Sequence, residues 1–193
     1  MNDLNKKEFV CELVFPISAD NNSKTPENGN RKKDEYILFM DFLCPYCAKF
    51  HAANGAGLKK LLDDGAINLK IISLAWIDFY SNGHHYSVRS SHAAHIIQQE
   101  QPEILWAFID QILKRGIQPR EAQNYDEAVG SNEALAKSAK TVGANNETIQ
   151  KILNISSDDD FGKSLLAEAE AIREKGLIPG TPSLFINGKL AND

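Results

Sequence analysis

Cys44-Pro45-Tyr46-Cys47 constrains this chain more than any other feature. Two cysteines two residues apart follow the apolar run Ile37-Leu38-Phe39-Met40 and precede a stretch with helical spacing. The pattern predicts a dithiol at the end of a buried strand, on the first turn of a helix. A helix N-terminus carries partial positive charge and unpaired N–H groups. Both favour a thiolate, and the thiolate is the reactive form of cysteine. A C-x-x-C at such a junction reads as a redox pair. A structural disulfide or half of a zinc site are the other readings. Four-ligand zinc needs a second pair, and the sequence has only one further cysteine, Cys11.

Three cysteines in 193 residues cannot form a disulfide framework. Cys11 sits in an apolar stretch and is expected to be buried and inert. A net charge of −5 argues against nucleic acid or an anionic membrane as the main partner. No stretch approaches the roughly 18 apolar residues of a spanning helix. The start, Met1 to Lys7, lacks the apolar core of a signal peptide. That start leaves two options, a cytosolic protein or one whose export signal has been trimmed.

Along the chain, residues 8–17 are rich in strand formers and end at Pro16. Residues 20–35 are polar and charged, as a flexible loop is, and the Arg31-Lys32-Lys33 triplet fits a solvated loop. Tyr36 to Phe42 has the continuous apolar character of a buried strand. Pro45 suits a first helical position. The helix it opens is expected to end at Asp64-Gly65 and to kink near Gly55 and Gly57. Residues 66–74 read as a strand. This alternation predicts an α/β sheet with the helix as a crossover.

A helical section follows, with helices over 87–99, from Pro102 to about Gly116, from a Ser131 cap to Gly143, over 146–153, and from Ser157 to Lys175. Asp158-Asp159-Asp160 reads as first-turn acids of the last helix, with metal binding as the lesser alternative. Ser183 to Ile186 reads as a strand, and Asn187-Gly188 as a hairpin turn. Only five residues follow that turn, so the sheet edge is expected to be cut short. His51, His84, His85, His92 and His95 are expected to be solvated or capping rather than metal ligands. Trp76, Phe79 and Tyr80 are expected to pack in the core at the start of the helical section, with an exposed lip for unfolded substrate as the sharper alternative.

The dithiol, the helical middle and the late Gly180-Thr181-Pro182 before a strand resemble the thioredoxin superfamily. The long gap between Cys44 and Pro182 narrows the resemblance to the DsbA family of thiol–disulfide oxidoreductases. It implies a thioredoxin fold over 8–75 and 177–193, with a large inserted α-helical domain over 76–176 and a flexible loop over 19–34. It implies a cis Pro182 against the dithiol, with Thr181 and Pro182 offering backbone to an extended substrate. By resemblance Cys44 is the nucleophile and Cys47 the resolving thiol, needing no bound cofactor beyond the dithiol itself and no metal. Pro45, Tyr46 and Asp41 tune the pair. Implied partners are unfolded or partly folded cysteine-containing proteins and a redox partner that resets the dithiol, and the implied setting is the bacterial cell envelope. The buried acid often found in the family six residues before the first cysteine is replaced by Leu38, and Asp41 is the nearest acid. Pro45 and Tyr46 bring no positive charge, so an intermediate potential is expected within the family range of about −270 to −120 mV.

Overall fold

A computed structural model describes residues 7–15, 33–114 and 130–191. The expected loop over 19–34 therefore lies almost wholly outside the described residues, as does the end of the helix that Pro102 opens. The described chain runs β1 (Glu12–Val14), β2 (Asp34–Met40), α1 (Pro45–Asp63), β3 (Ile67–Ser73), α2 (Tyr86–Glu100), α3 (Leu105–Lys114), α4 (Asn132–Thr141), α5 (Asn146–Leu153), α6 (Asp160–Glu174), β4 (Ser183–Ile186) and β5 (Lys189–Leu190). The strand order is β1-β3-β2-β4-β5. β2 and β3 are parallel, joined by the α1 crossover, and the other pairs are antiparallel.

β2 sits at the centre, and successive side chains of a strand point to opposite faces. Leu38 and Met40 enter the larger core with α1, α2 and α3. Ile37 and Phe39 enter a smaller core with Ile172, Ile178 and Phe185. This double burial explains why β2 has no polar alternation. The larger core is continuous from the sheet into the helical section, through Leu105, Phe108, Ile109 and Ile112 of α3. The α2 face turned to the sheet is partly polar but satisfied. The Ser91 hydroxyl reaches the Ser87 carbonyl at 2.7 Å and shares a 2.7 Å hydrogen bond with the Ser73 hydroxyl.

Several sequence expectations shift. Among the described residues the first strand covers only Glu12–Val14, shorter than the strand expected up to Pro16. α1 has no break at Gly55 or Gly57. Gly55 serves packing instead, because a Cβ there would meet the His51 ring at 3.1 Å. Asp159, not Ser157, caps the last helix, accepting from the Gly162 N–H at 2.8 Å. The Asn187-Gly188 hairpin turn forms as expected, with φ of 51° and 77°, and a second strand of two residues pairs with β4 after it. Phe79 and Tyr80 are exposed rather than in the core, their rings in tilted contact with centroids 4.2 Å apart.

Gly162 has no room for a side chain. A Cβ there would lie 2.1 Å from the Ser157 carbonyl oxygen and 3.1 Å from Val88 on α2. Gly162→Ala is expected to destabilise the fold by about 1–3 kcal/mol, seen as a lower urea midpoint with an unchanged m-value.

Candidate active site

The turn after β2 presents the dithiol. The Cys44 N–H donates to the Asp41 carbonyl at 2.9 Å, and Cys44 takes the extended N-cap conformation ahead of Pro45. The motif thus places Cys44 half outside the helix and Cys47 one turn in. The sequence places Cys44 at an exposed helix start, yet it is only 4% exposed, and Cys47 is fully buried. Both are free thiols here, as is buried Cys11.

The opposite wall comes from the far end of the chain. The antiparallel pairing of β4 with β2 sets Thr181-Pro182 beside the α1 N-terminus. The Thr181–Pro182 bond is cis, and the Cys44 thiol lies 3.3 Å from the Thr181 carbonyl.

The electrostatics separate the two thiols. The Cys44 pKa is lowered to about 5. The largest cause is a hydrogen bond from the Cys47 thiol to the Cys44 sulfur; burial opposes it. The Thr181 side chain and the backbone N–H groups of Cys47 and Tyr46 add to the lowering. Cys47 is pushed well above its ordinary value, by burial first and by its bond to Cys44 second. Burial likewise pushes Cys11 up.

Asp41 is fully buried beneath the pair. Its Oδ1 accepts from the Leu43 N–H at 2.7 Å and the Ser87 hydroxyl at 2.8 Å. Its Oδ2 accepts from the Ile77 N–H at 2.8 Å. Burial is the largest influence and raises its pKa to about 7, against the lowering by these three donors; the Cys44 charge adds to the rise. The Asp41 N–H also points to the Cys47 sulfur at 3.5 Å. Ile77 and Ser87 escape sequence reasoning, because neither belongs to a motif and both meet Asp41 only through the fold.

Tyr46 is 61% exposed beside the dithiol, and Lys49 lies over its ring at 5.6 Å. The histidines take structural places. His51 is buried, 3.2 Å from Asp110 on α3. His85 meets Asp78 at 2.7 Å, while His92 and His95 pack on Phe161. Among the described residues no group of three or more His, Cys, Asp or Glu side chains could hold a metal.

A thiolate-sensitive absorbance titration of the reduced protein is expected to show one cysteine ionising near pH 5, with Cys47 and Cys11 silent beyond pH 9. Cys44→Ser is expected to erase that step, and a first ionisation near 8 or above would contradict the geometry.

The thioredoxin family model matches residues 22–193. No curated protein matches the chain. Among solved structures, the chain is similar to the oxidised DsbA of Mycobacterium tuberculosis, at TM-score 0.71 and 23% identity, covering 94% of this chain and 85% of that one. It is similar to MdbA, a thiol–disulfide oxidoreductase from Corynebacterium diphtheriae, at TM-score 0.67 and 26% identity, covering 86% and 81%. It is also similar to the reduced disulfide bond oxidoreductase DsbG of Mycobacterium tuberculosis, at TM-score 0.68 and 23% identity, covering 95% and 80%. With a dithiol on the first turn of α1, a cis proline across from it and a family model matched over most of its length, the chain belongs to the thioredoxin family, in the DsbA-like form that carries a helical insertion.

Proposed function

We propose that this thiol–disulfide oxidoreductase works as a dithiol oxidase on unfolded or partly folded cysteine-containing proteins. The unequal acidity of Cys44 and Cys47 carries the reading. In the oxidised enzyme a substrate thiolate attacks the Cys44 sulfur. The Cys44–Cys47 bond breaks, and Cys47 leaves and takes a proton. A second substrate thiolate then attacks the substrate sulfur of the mixed disulfide. Cys44 leaves as a thiolate, and the substrate disulfide forms. The lower the pKa of a leaving thiol, the faster it leaves. Cys44 therefore leaves readily in the oxidising direction. The reducing direction needs Cys47 as attacking thiolate, and burial opposes that form.

The dithiol is itself the redox group, so no bound cofactor is required, and a separate redox partner resets the disulfide. Backbone beside Thr181 and Pro182 would pair with an extended substrate. Exposed Tyr46, within the dithiol motif, and the exposed pair Phe79 and Tyr80 would supply apolar contact for unfolded chains. Reactions of this type belong in the cell envelope, and no described helix is long and apolar enough to cross a membrane.

A reductase or isomerase is the second reading, favoured by one observation. A Cys44 pKa of about 5 lies between those of a strongly oxidising dithiol, about 3.5, and a reducing one, about 7. The third alternative, a non-catalytic peptide-binding module, predicts that Cys44→Ser leaves activity intact.

The test incubates oxidised enzyme with a reduced, unfolded protein. Wild type is expected to transfer its disulfide stoichiometrically and Cys44→Ser to transfer none, while Cys47→Ser, first loaded at Cys44 as a mixed disulfide with a small thiol, is expected to exchange that thiol for a substrate thiol and hold the substrate as a mixed disulfide. A midpoint potential at or below about −270 mV would assign the reductase role instead.

A further inference from the structure

The peptide unit between Trp76 and Ile77 is gripped from both sides. Its N–H belongs to Ile77 and donates to Asp41 Oδ2 at 2.8 Å. Its carbonyl belongs to Trp76 and accepts from Arg173 Nη2 at 2.5 Å. A trans peptide is a rigid plane whose C=O and N–H point to opposite sides, and this one is trans. One plate therefore runs from exposed Arg173 to the buried carboxylate beneath the dithiol. Turning it to weaken one bond weakens the other. Arg173 is itself held in place, in the last turn of α6. Its guanidinium lies over the Trp76 ring at 4.6 Å, and its Nη1 donates to Glu170 Oε2 at 2.7 Å. Trp76 in turn packs on the smaller core. A charged donor at the carbonyl also polarises the peptide and strengthens the hydrogen bond at its far end.

We propose that Arg173 is a positioning residue of the active site: from the surface of α6 it holds the Trp76–Ile77 peptide so that the Ile77 N–H stays aimed at Asp41. Arg173 makes no contact with the dithiol and acts through that peptide alone. A donated N–H favours the ionised carboxylate. Burial raises the Asp41 pKa, and the Ile77 N–H is the largest of the influences that oppose the rise. The charge on Asp41 bears on the reaction, because an ionised Asp41 disfavours negative charge on the Cys47 sulfur. That sulfur leaves when a thiolate attacks Cys44, and a leaving thiol of higher pKa leaves more slowly. The other groups facing Asp41 are Cys44 and Cys47 from α1, the Leu43 N–H, and the Ser87 hydroxyl from α2. The buried Asp78, paired with His85, follows Ile77 directly.

The test compares Arg173→Met with wild type, both with the Cys44–Cys47 disulfide closed, so that no thiolate titrates beside Asp41. Methionine keeps an apolar cover on the Trp76 ring and removes the charged donor. The freed carbonyl is on the exposed side, where water takes the donor's place. The Asp41 carboxyl carbon, followed by NMR against pH, is expected to titrate about 0.5–1 unit higher in Arg173→Met, the share of one weakened charge-assisted hydrogen bond. The Ile77 amide is expected to exchange faster and the Leu43 amide at its wild-type rate. Arg173→Lys, which keeps a charged donor, is expected to recover most of the shift. A kinetic arm uses excess 2-mercaptoethanol to open the disulfide. The rate per thiolate is expected to fall as Asp41 ionises, at a higher pH in Arg173→Met, and to show no such fall in Asp41→Asn. The proposal rests on the redox reading only for this arm and does not need protein substrates to be oxidised, so failure of the oxidase reading leaves it standing. An unshifted Asp41 midpoint in Arg173→Met would overturn it, as would a lysine variant no closer to wild type than the methionine one. Faster exchange at Leu43 as well as Ile77 would show general loosening and overturn it too. A wild-type rate profile without the fall would leave Arg173 no part in the reaction.

Discussion

The close approach of the Cys44 sulfur to the Thr181 carbonyl organises this molecule. The two residues are 137 positions apart, and the contact is 3.3 Å long. It exists because β2 lies between β3 and β4. β2 ends at the dithiol, and antiparallel β4 starts just past the cis proline, so both reach the same end of the sheet. A slip of one residue in the β2–β4 register would turn the β4 side chains to the wrong face. Phe185 would leave the smaller core, and the Thr181 carbonyl would move off the sulfur. The site is therefore as well defined as the central strand pairing, and that pairing is held by burial on both faces.

Burial also produces the acidity difference that the chemistry uses. Both thiols are enclosed, yet desolvation acts on them unequally. Cys44 sits at the helix mouth, where N–H groups and the Cys47 thiol compensate its charge. Cys47 has the weaker compensation and keeps its proton. The bond between them works in opposite directions on the two residues, lowering one pKa and raising the other. Removing a proton from either changes the other, so the pair titrates as a unit. Asp41 extends that unit downward, since its carboxylate is the one acid enclosed with them in the described structure.

Much of this was legible in the sequence, because the signals were local. The apolar run before the dithiol, Pro45 at the helix start, the Ser131 cap and the Asn187-Gly188 turn each carry their own stereochemistry. Ser131 accepts from the Ala134 N–H as a cap should. What could not be read depended on distant neighbours. Gly55 reads in the sequence as a weak point where α1 could kink, because the inward turn of the His51 ring that needs its space is set by packing against Asp110 and Trp106. Ser157 and Asp159 are both good caps by type, and only the hydrogen bond from the Gly162 N–H to Asp159 shows which one the helix uses. Phe79 and Tyr80 were expected inside because they are aromatic, but a short turn after β3 carries them outward. In the sequence Asp41 is only the acid nearest the cysteines. Its burial and its tie to Ser87 are set by how α2 docks, and no spacing along the chain records that.

The helical section is thereby more than a cover over one sheet face. A dithiol on a bare α1 would have its charge compensated by the Cys47 thiol, the helix N-terminus and Thr181. Here the segment after β3 and the start of α2 also reach the acid beneath the dithiol, through Ile77 and Ser87. The same short stretch exposes Phe79 and Tyr80 at the surface. One piece of chain thus holds the buried carboxylate from both of its ends and offers apolar surface between them. The continuous core from Leu38 and Met40 into Phe108 and Ile109 keeps that piece in place. Apolar burial is worth roughly 25 cal/mol per Å² and is indifferent to direction. The hydrogen bonds to Asp41 are directional, and each donor left unpaired inside would cost about 1–3 kcal/mol. The core therefore holds the insertion against the sheet, while the three bonds to Asp41 fix how its first turns meet the dithiol.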